Sequence, residues 1–298
     1  MGASDILGQV TKDGSSGFKA EKDRYHLYTA HGCPFAHRAV IGRKLKGLED
    51  VITMSFVESV KKDATKSYHF STELPDPING KEFLMDVYLH SHPEYSGSAT
   101  VPVLFDKQTQ KIVSNSSADI LRMLDQEFNE LSKTGVNLYP EDLRKDIDEL
   151  NDWITQGIVT AVYRVGRGYL GKNQEMYDTE VAALFQNIDK VEEILQSKRY
   201  LAGSQITEAD VRLMVVLLRF DTIYYSLYKC SKRTLVSYKN LWGYVRDIYQ
   251  TFDLAPIVNL VETKIMYFKA PAYSTLDTVV PVGPELNFNE PHGREMIK

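Results

Sequence analysis

Cysteine is scarce. The 298 residues hold two, Cys33 and Cys230, too far apart to read as a disulfide framework and suited to a reducing compartment. A basic excess is missing as well: the formal net charge is −5, so no positive face for nucleic acid is implied. The longest apolar run, Leu213 to Leu218, is far too short to cross a bilayer. No apolar stretch like a signal peptide precedes Tyr25, and the last residues, Met296-Ile297-Lys298, match no retention or peroxisomal address. A cytosolic protein without a membrane partner is expected. Six of seven histidines fall at or before His92 and the last is His292, so most of the second half has no imidazole. His90 and His92 alternate, but no third ligand accompanies them and no metal site is expected. No G-x-G-x-x-G follows a strand pattern, which leaves a nicotinamide dinucleotide without a seat.

What is present is ordinary globular material, 43% hydrophobic and 25% charged, long enough for two domains. The chain is organised around Tyr25 to Arg38, YHLYTAHGCPFAHR. Its first residues alternate like a half-buried strand, and His31-Gly32 breaks the run as a turn does. Cys33 then stands where a helix begins, with Pro34 at the first helical position, where a missing N–H costs nothing. A thiol at a helix N-terminus lies beside unpaired N–H groups and the positive end of the dipole. Both favour thiolate, and such cysteines fall from a pKa of about 8.5 to roughly 3.5–7.5. The pattern is a C-x-x-C whose second cysteine is Ala36. A dithiol enzyme resolves its mixed disulfide with that second thiol. This chain must borrow one, and glutathione is the obvious donor. Cys230 has no such context and reads as a small buried hydrophobe.

Residues 1–24 are rich in Gly, Ser and Lys and suggest a flexible lead-in. Val51 to Val57 reads as a second strand, making β-α-β with a right-handed crossover. Residues 58–99, punctuated by Pro and Gly around one helical stretch (Glu82 to His90), read as an insertion lying over the site. Val101 to Phe105 and Lys111 to Val113 follow as a hairpin. Pro102 within it is either an edge-strand proline or a cis proline beside a pocket. Ser116 and Asp119 have capping-box spacing; the same helix start is either a plain cap or an anion seat built from N–H groups and a hydroxyl. The order is thioredoxin-like over 25–134. Beyond a linker at Gly135 to Pro140 the pattern is helical over 135–270: Leu143 to Ile158, Glu175 to Gln196, Thr207 to about Tyr228, Tyr238 to Gln250 and Pro256 to Phe268. An irregular tail, 271–298, closes the chain. The fold class expected is α+β, a βαβ-ββα thioredoxin-like domain followed by an all-α domain.

Thr207-Glu208-Ala209-Asp210 is a capping box with Ile206 and Val211 as its hydrophobic staple, which accounts for Asp210 without a catalytic role. Tyrosines crowd the helical half. A phenol there either packs as an amphipathic core residue or hydrogen-bonds an oxygen on a bound aromatic ring.

Taken together, CPFAHR (33–38), RKLKGLED (43–50), TVPVLFD (100–106), ILRML (120–124), TEADVRL (207–213), RFDTIY (219–224), YKC (228–230) and VVPVGP (279–284) resemble the Xi-class, omega-like glutathione transferases, the S-glutathionyl-hydroquinone reductases. The likeness runs from about Tyr25 to Pro284. It implies glutathione transferase architecture, a homodimer, glutathione as co-substrate and a quinoid aromatic as partner, with no metal. It implies catalytic roles for Cys33, with Tyr163, Tyr224 and Tyr267 around the aromatic. It implies glutathione-binding roles for Phe35, Tyr68, Val101, Pro102, Ser116 and Ser117. Departures accompany it: Phe35 and Tyr68 stand where Trp is usual, Ser98 where a basic residue is expected, and Ser116 where an acidic residue would hold the γ-glutamyl ammonium. Leu227, Glu262 and Met266 replace histidines near the tyrosines. The activity implied is removal of glutathione from glutathionyl-hydroquinones. The altered contacts leave two alternatives: a pathway-specific transferase, reductase or isomerase of a polyphenolic or quinone metabolite, and a non-catalytic aromatic-ligand carrier.

Overall fold

The computed structural model describes residues 5–60, 68–269 and 279–297, and its contacts divide the chain into two compact units. The first takes its described residues from 5–136 and 261–269. It is built on a four-stranded mixed sheet in the order β2-β1-β3-β4. Strand β1 (Tyr25–Thr29) leads through α1 (Pro34–Leu45) to β2 (Thr53–Phe56), which pairs with it in parallel. Strands β3 (Val103–Asp106) and β4 (Lys111–Ser114) form the antiparallel hairpin, and β3 runs antiparallel to β1. Helix α3 (Ser117–Gln126) closes the βαβ-ββα order and packs on α1. Every residue of β1 and β3 is buried, His26, Thr29 and Asp106 included, so both faces of these two central strands are covered.

The insertion is less an overlay than a wall. Phe70 and Leu84 form main-chain hydrogen bonds with Glu82 and Tyr68, and α2 (Leu84–Ser91) follows. Tyr68, Phe70, Leu84, Val87 and Tyr88 share one apolar cluster with Tyr28, Val103 and Phe105. Asp76 accepts the Tyr28 hydroxyl at 2.7 Å and the main-chain N–H groups of Ile78, Asn79 and Lys81. Residues 61–67 of this stretch lie outside the described residues.

The stretch before β1, expected as a flexible lead-in, is tied to the unit from Asp5 on. Leu7 bridges Ser114 in antiparallel sense, the Gly8 N–H donates to Val113 at 2.8 Å, and Val10 is buried. Burying Val10 contributes roughly 1.5–3 kcal/mol, enough to hold a short segment in place. Helix α10 (Leu260–Lys269) groups with this unit from Val261 on, rather than with the other helices. Its Met266 lies against Gly32, where an added Cβ would come within 2.1 Å of the sulfur, so glycine alone fits the turn before Cys33. Thr263 donates to the His31 carbonyl at 3.1 Å, and Ser59 to Glu262 at 2.7 Å.

The second unit, with described residues within 137–260 and 279–297, is helical. Helix α4 (Arg144–Ile154) passes through a π-turn (Thr155–Val159) into α5 (Ala161–Leu170), followed by the long α6 (Gln174–Ser197). Helix α7 (Glu208–Arg219) passes through a second π-turn (Phe220–Tyr224) into the one-turn α8 (Tyr225–Leu227), and α9 (Lys239–Thr251) completes the set. Helix α5 is not in the sequence reading. Its glycines argue against helix, yet Gly166 is where the Tyr228 ring packs, 2.6 Å from any added Cβ. Gly166, Gly168 and Gly171 have G-x-G-x-x-G spacing but lie in and just after this helix, with a π-turn and no strand before it. The Thr207 box forms as expected: Asp210 accepts the Thr207 N–H at 2.8 Å, and also Leu201 N–H and the Tyr244 hydroxyl. Burial raises the Asp210 pKa, against the pull of these donors; every contact is structural. The described part of the tail contains a second cis peptide, Gly283–Pro284.

Candidate active site

Cys33 is the N-cap of α1, in extended backbone conformation, with Pro34 following. Its sulfur accepts the Ala36 N–H at 3.4 Å, and its S–H reaches the Val101 carbonyl at 3.7 Å. The cap position is one that serine, threonine or aspartate usually fills. Here a sulfur takes it, beside the dipole end and a main-chain donor, both of which favour negative charge on it. The residue is half-buried. Val101–Pro102 is a cis peptide, the second of the two alternatives the sequence leaves open.

Cys33 opens on a cavity of about 490 Å³ within the first unit. Phe35, Tyr68, Val101, Pro102, Ser116 and Ser117 all line it. Helix α1 delivers Cys33 and Phe35, the insertion delivers Tyr68, the strand entry delivers Val101 and Pro102, and the start of α3 delivers the serines. Ser116 caps α3, accepting the Asp119 N–H at 3.4 Å. Ser116 is thus both the helix cap and part of the cavity wall, with Ser117 beside it. From α2, the Tyr88 hydroxyl donates to the Thr100 carbonyl at 2.8 Å and accepts from Asn115 Nδ2 at 3.2 Å, bracing both main-chain walls. Phe35 is 37% exposed, with Arg38 5.0 Å from its ring centroid.

The cavity has members that sequence reasoning missed: Asp5, Leu7, Ala99, Thr100 and Asn115. Asp5 and Leu7 belong to the segment read as a lead-in. Its usable signal was the apolar Ile6, Leu7 and Val10 inside an otherwise Gly- and Ser-rich stretch.

Tyr163 and Tyr224 meet in the second unit, their hydroxyls 3.3 Å apart and their rings edge to face at 5.8 Å. Tyr228 stands 5.8 Å from each ring. Tyr163 follows the first π-turn and Tyr224 ends the second; such turns frequently sit at functional sites. Asp221, in the second π-turn, accepts the N–H groups of Leu235 and Val236 and fixes the loop that follows. Tyr267 lies on α10, is buried and belongs to the first unit.

The glutathione S-transferase N-terminal domain family matches residues 32–127, and the corresponding C-terminal domain family matches 174–247. Glutathionyl-hydroquinone reductase YqjG of Escherichia coli is 42% identical over 287 residues, 95% of this chain and 86% of that protein. A Xi-class glutathione transferase from Natrialba magadii superposes with a TM-score of 0.90 at 35% identity, over 97% of this chain and 90% of the other. The chain belongs to the Xi-class glutathione transferases. The glutathione-bound structure of YqjG also gives a TM-score of 0.90, at 40% identity over 98% and 96% of the two chains. Glutathionyl-hydroquinone reductase PcpF of Sphingobium chlorophenolicum is 36% identical over 90% of this chain and 85% of its own. Among the described residues lining this cavity Asp5 is the one carboxylate, and none is a lysine, arginine or histidine.

No helix among the described residues is long and apolar enough to cross a membrane.

Proposed function

We propose that the protein is a glutathione-dependent reductase of glutathionyl-hydroquinones or related quinoid aromatics, working through Cys33. The observation that carries the reading is the single cavity in which Cys33 meets Phe35, Tyr68, Val101, Pro102, Ser116 and Ser117. Its relatives named glutathionyl-hydroquinone reductases support the substrate class. Glutathione lies with its cysteinyl main chain along Val101, its γ-glutamyl carboxylate on the N–H groups opening α3, and Ser117 beside it.

Cys33 thiolate attacks the sulfur of the glutathionyl thioether. The bond from that sulfur to the aromatic carbon breaks, its electron pair passes to the ring, and the ring carbon takes a proton to give the free hydroquinone. Tyr163, Tyr224 and Tyr267 donate hydrogen bonds to the ring oxygens as they gain charge. Cys33 is left in a mixed disulfide with glutathione. A second glutathione, as thiolate, attacks it, releasing Cys33 and glutathione disulfide. The sum is one glutathionyl-hydroquinone and one glutathione giving one hydroquinone and one glutathione disulfide. No metal takes part. A homodimer and a cytosolic setting belong to this reading by family resemblance.

The test is release of the free quinol from a glutathionyl-menadiol-type substrate, followed for the wild type and Cys33→Ser. Loss of turnover by at least roughly 10³-fold is expected for removal of a covalent nucleophile. Release that survives the substitution contradicts the mechanism.

A further inference from the structure

Glutathione ends in an amino-acid group with both an α-carboxylate and an α-ammonium. The opening of α3, with Ser117 at its first position, suits the carboxylate. N–H groups repel the ammonium, which needs an anionic acceptor within about 3 Å. Ser116, where the family resemblance implies an acidic residue, brings no charge. Among the described residues Asp5 is the single carboxylate lining the cavity.

The main chain puts it in the right place. Leu7 bridges Ser114 antiparallel, the Ile6 N–H donates to Asn115 Oδ1 at 2.9 Å, and the Asn115 N–H donates back to the Ile6 carbonyl at 3.2 Å. Continuing that register by one residue sets Asp5 opposite Ser116. The carboxylate also lies near enough to help raise the Tyr95 phenol to about 12, after burial and Tyr88, and the Tyr95 hydroxyl donates to Ser98 on the same cavity wall.

We propose that Asp5 is the specificity residue that receives the α-ammonium of glutathione, so that the charge absent from position 116 is supplied by the N-terminal segment lying across from it. The inference rests on the reading of this cavity as the glutathione site. It makes the stretch before β1 a working part of that site. Asp5 is exposed, so the ion pair it forms is a solvent-screened one, modest in strength and weakened by salt.

The test compares binding of reduced glutathione and of glutaryl-cysteinyl-glycine, the same peptide without its α-amino group, by titration calorimetry on the wild type, Asp5→Asn and Asp5→Glu. The wild type should prefer glutathione by roughly 5- to 10-fold at low salt, with the preference shrinking as salt is added. Asp5→Asn should erase the preference while leaving affinity for the deaminated peptide within about 2-fold, and Asp5→Glu should restore part of it. An Asp5→Asn protein with the wild-type preference overturns the proposal. A wild type that binds neither peptide overturns the glutathione reading together with it. A wild type that shows the Asp5-dependent preference but releases no quinol overturns only the proposed reaction.

Discussion

The two cysteines of this chain have the same side chain and opposite surroundings. Cys33 caps a helix, half-buried, with a main-chain N–H aimed at its sulfur and a cavity in front of it. Cys230 is 0% exposed, its sulfur 4.0 Å from the Val162 carbonyl, and burial alone pushes its pKa up. Cys33 has a main-chain donor as well as the Val101 carbonyl, and the donor stabilises an anion. Cys230 meets an acceptor in an apolar setting, which stabilises the neutral thiol. On the proposed reading, what separates the two sulfurs is the added main-chain donor and cavity at Cys33 against full burial at Cys230.

Activity should separate the two by the widest margin. Beside the roughly 10³-fold loss expected for Cys33→Ser, Cys230→Ser should keep quinol release per folded molecule within about 2-fold of the wild type. Equal losses from both would mean that the contrast does not govern catalysis. Stability should invert the ranking. Serine at 230 places a hydroxyl in an apolar site and should cost about 1–3 kcal/mol in denaturant unfolding. Serine at 33 is a better N-cap than cysteine and should leave stability unchanged or raise it by a few tenths of a kcal/mol. The pH dependence follows from the raised pKa of Cys230. Below the ordinary cysteine value of about 8.5 the thiol is neutral folded and unfolded, so its contribution is fully present. As pH rises past that value the unfolded chain ionises first and stability falls. Cys230→Ala should flatten this alkaline slope, and Cys33→Ala should not. The smallest effects belong to the phenols. Tyr163→Phe and Tyr224→Phe should each lower kcat by roughly 3- to 30-fold, corresponding to about 0.6–2 kcal/mol for a hydrogen bond made as charge develops, with affinity for glutathione unmoved. A change in glutathione binding instead would assign these rings to the wrong half of the reaction.

The Cys33 side of the comparison was legible in the sequence because each level of structure agrees there. Strand alternation, the Gly32 turn, Pro34 at the first helical position and the capping serines of α3 all act over a few residues, and local rules read them. Cys230 was legible for the opposite reason, its lack of any such context. What sequence reasoning missed depends on contacts between distant residues. The glycines of α5 look like breakers until the Tyr228 ring is seen to need the space at Gly166. Helix α10 reads like its helical neighbours, but Met266 packs on the turn at Gly32. Asp5 lies in a segment of loop composition, and its place comes from the bridge of Leu7 to Ser114, more than a hundred residues away. The π-turns before Tyr163 and at Tyr224 add one residue per turn to otherwise regular helices, a change that apolar periodicity is too coarse to register.

The most direct test of the contrast is covalent. The folded protein is exposed to oxidised glutathione at neutral pH, quenched in acid, digested and mapped by mass spectrometry. Stoichiometric glutathionylation at Cys33, with Cys230 modified only after denaturation, is the result these environments require. An unmodified Cys33, or equal modification of both sulfurs in the folded chain, would contradict the claim that the start of α1 makes this cysteine the reactive one.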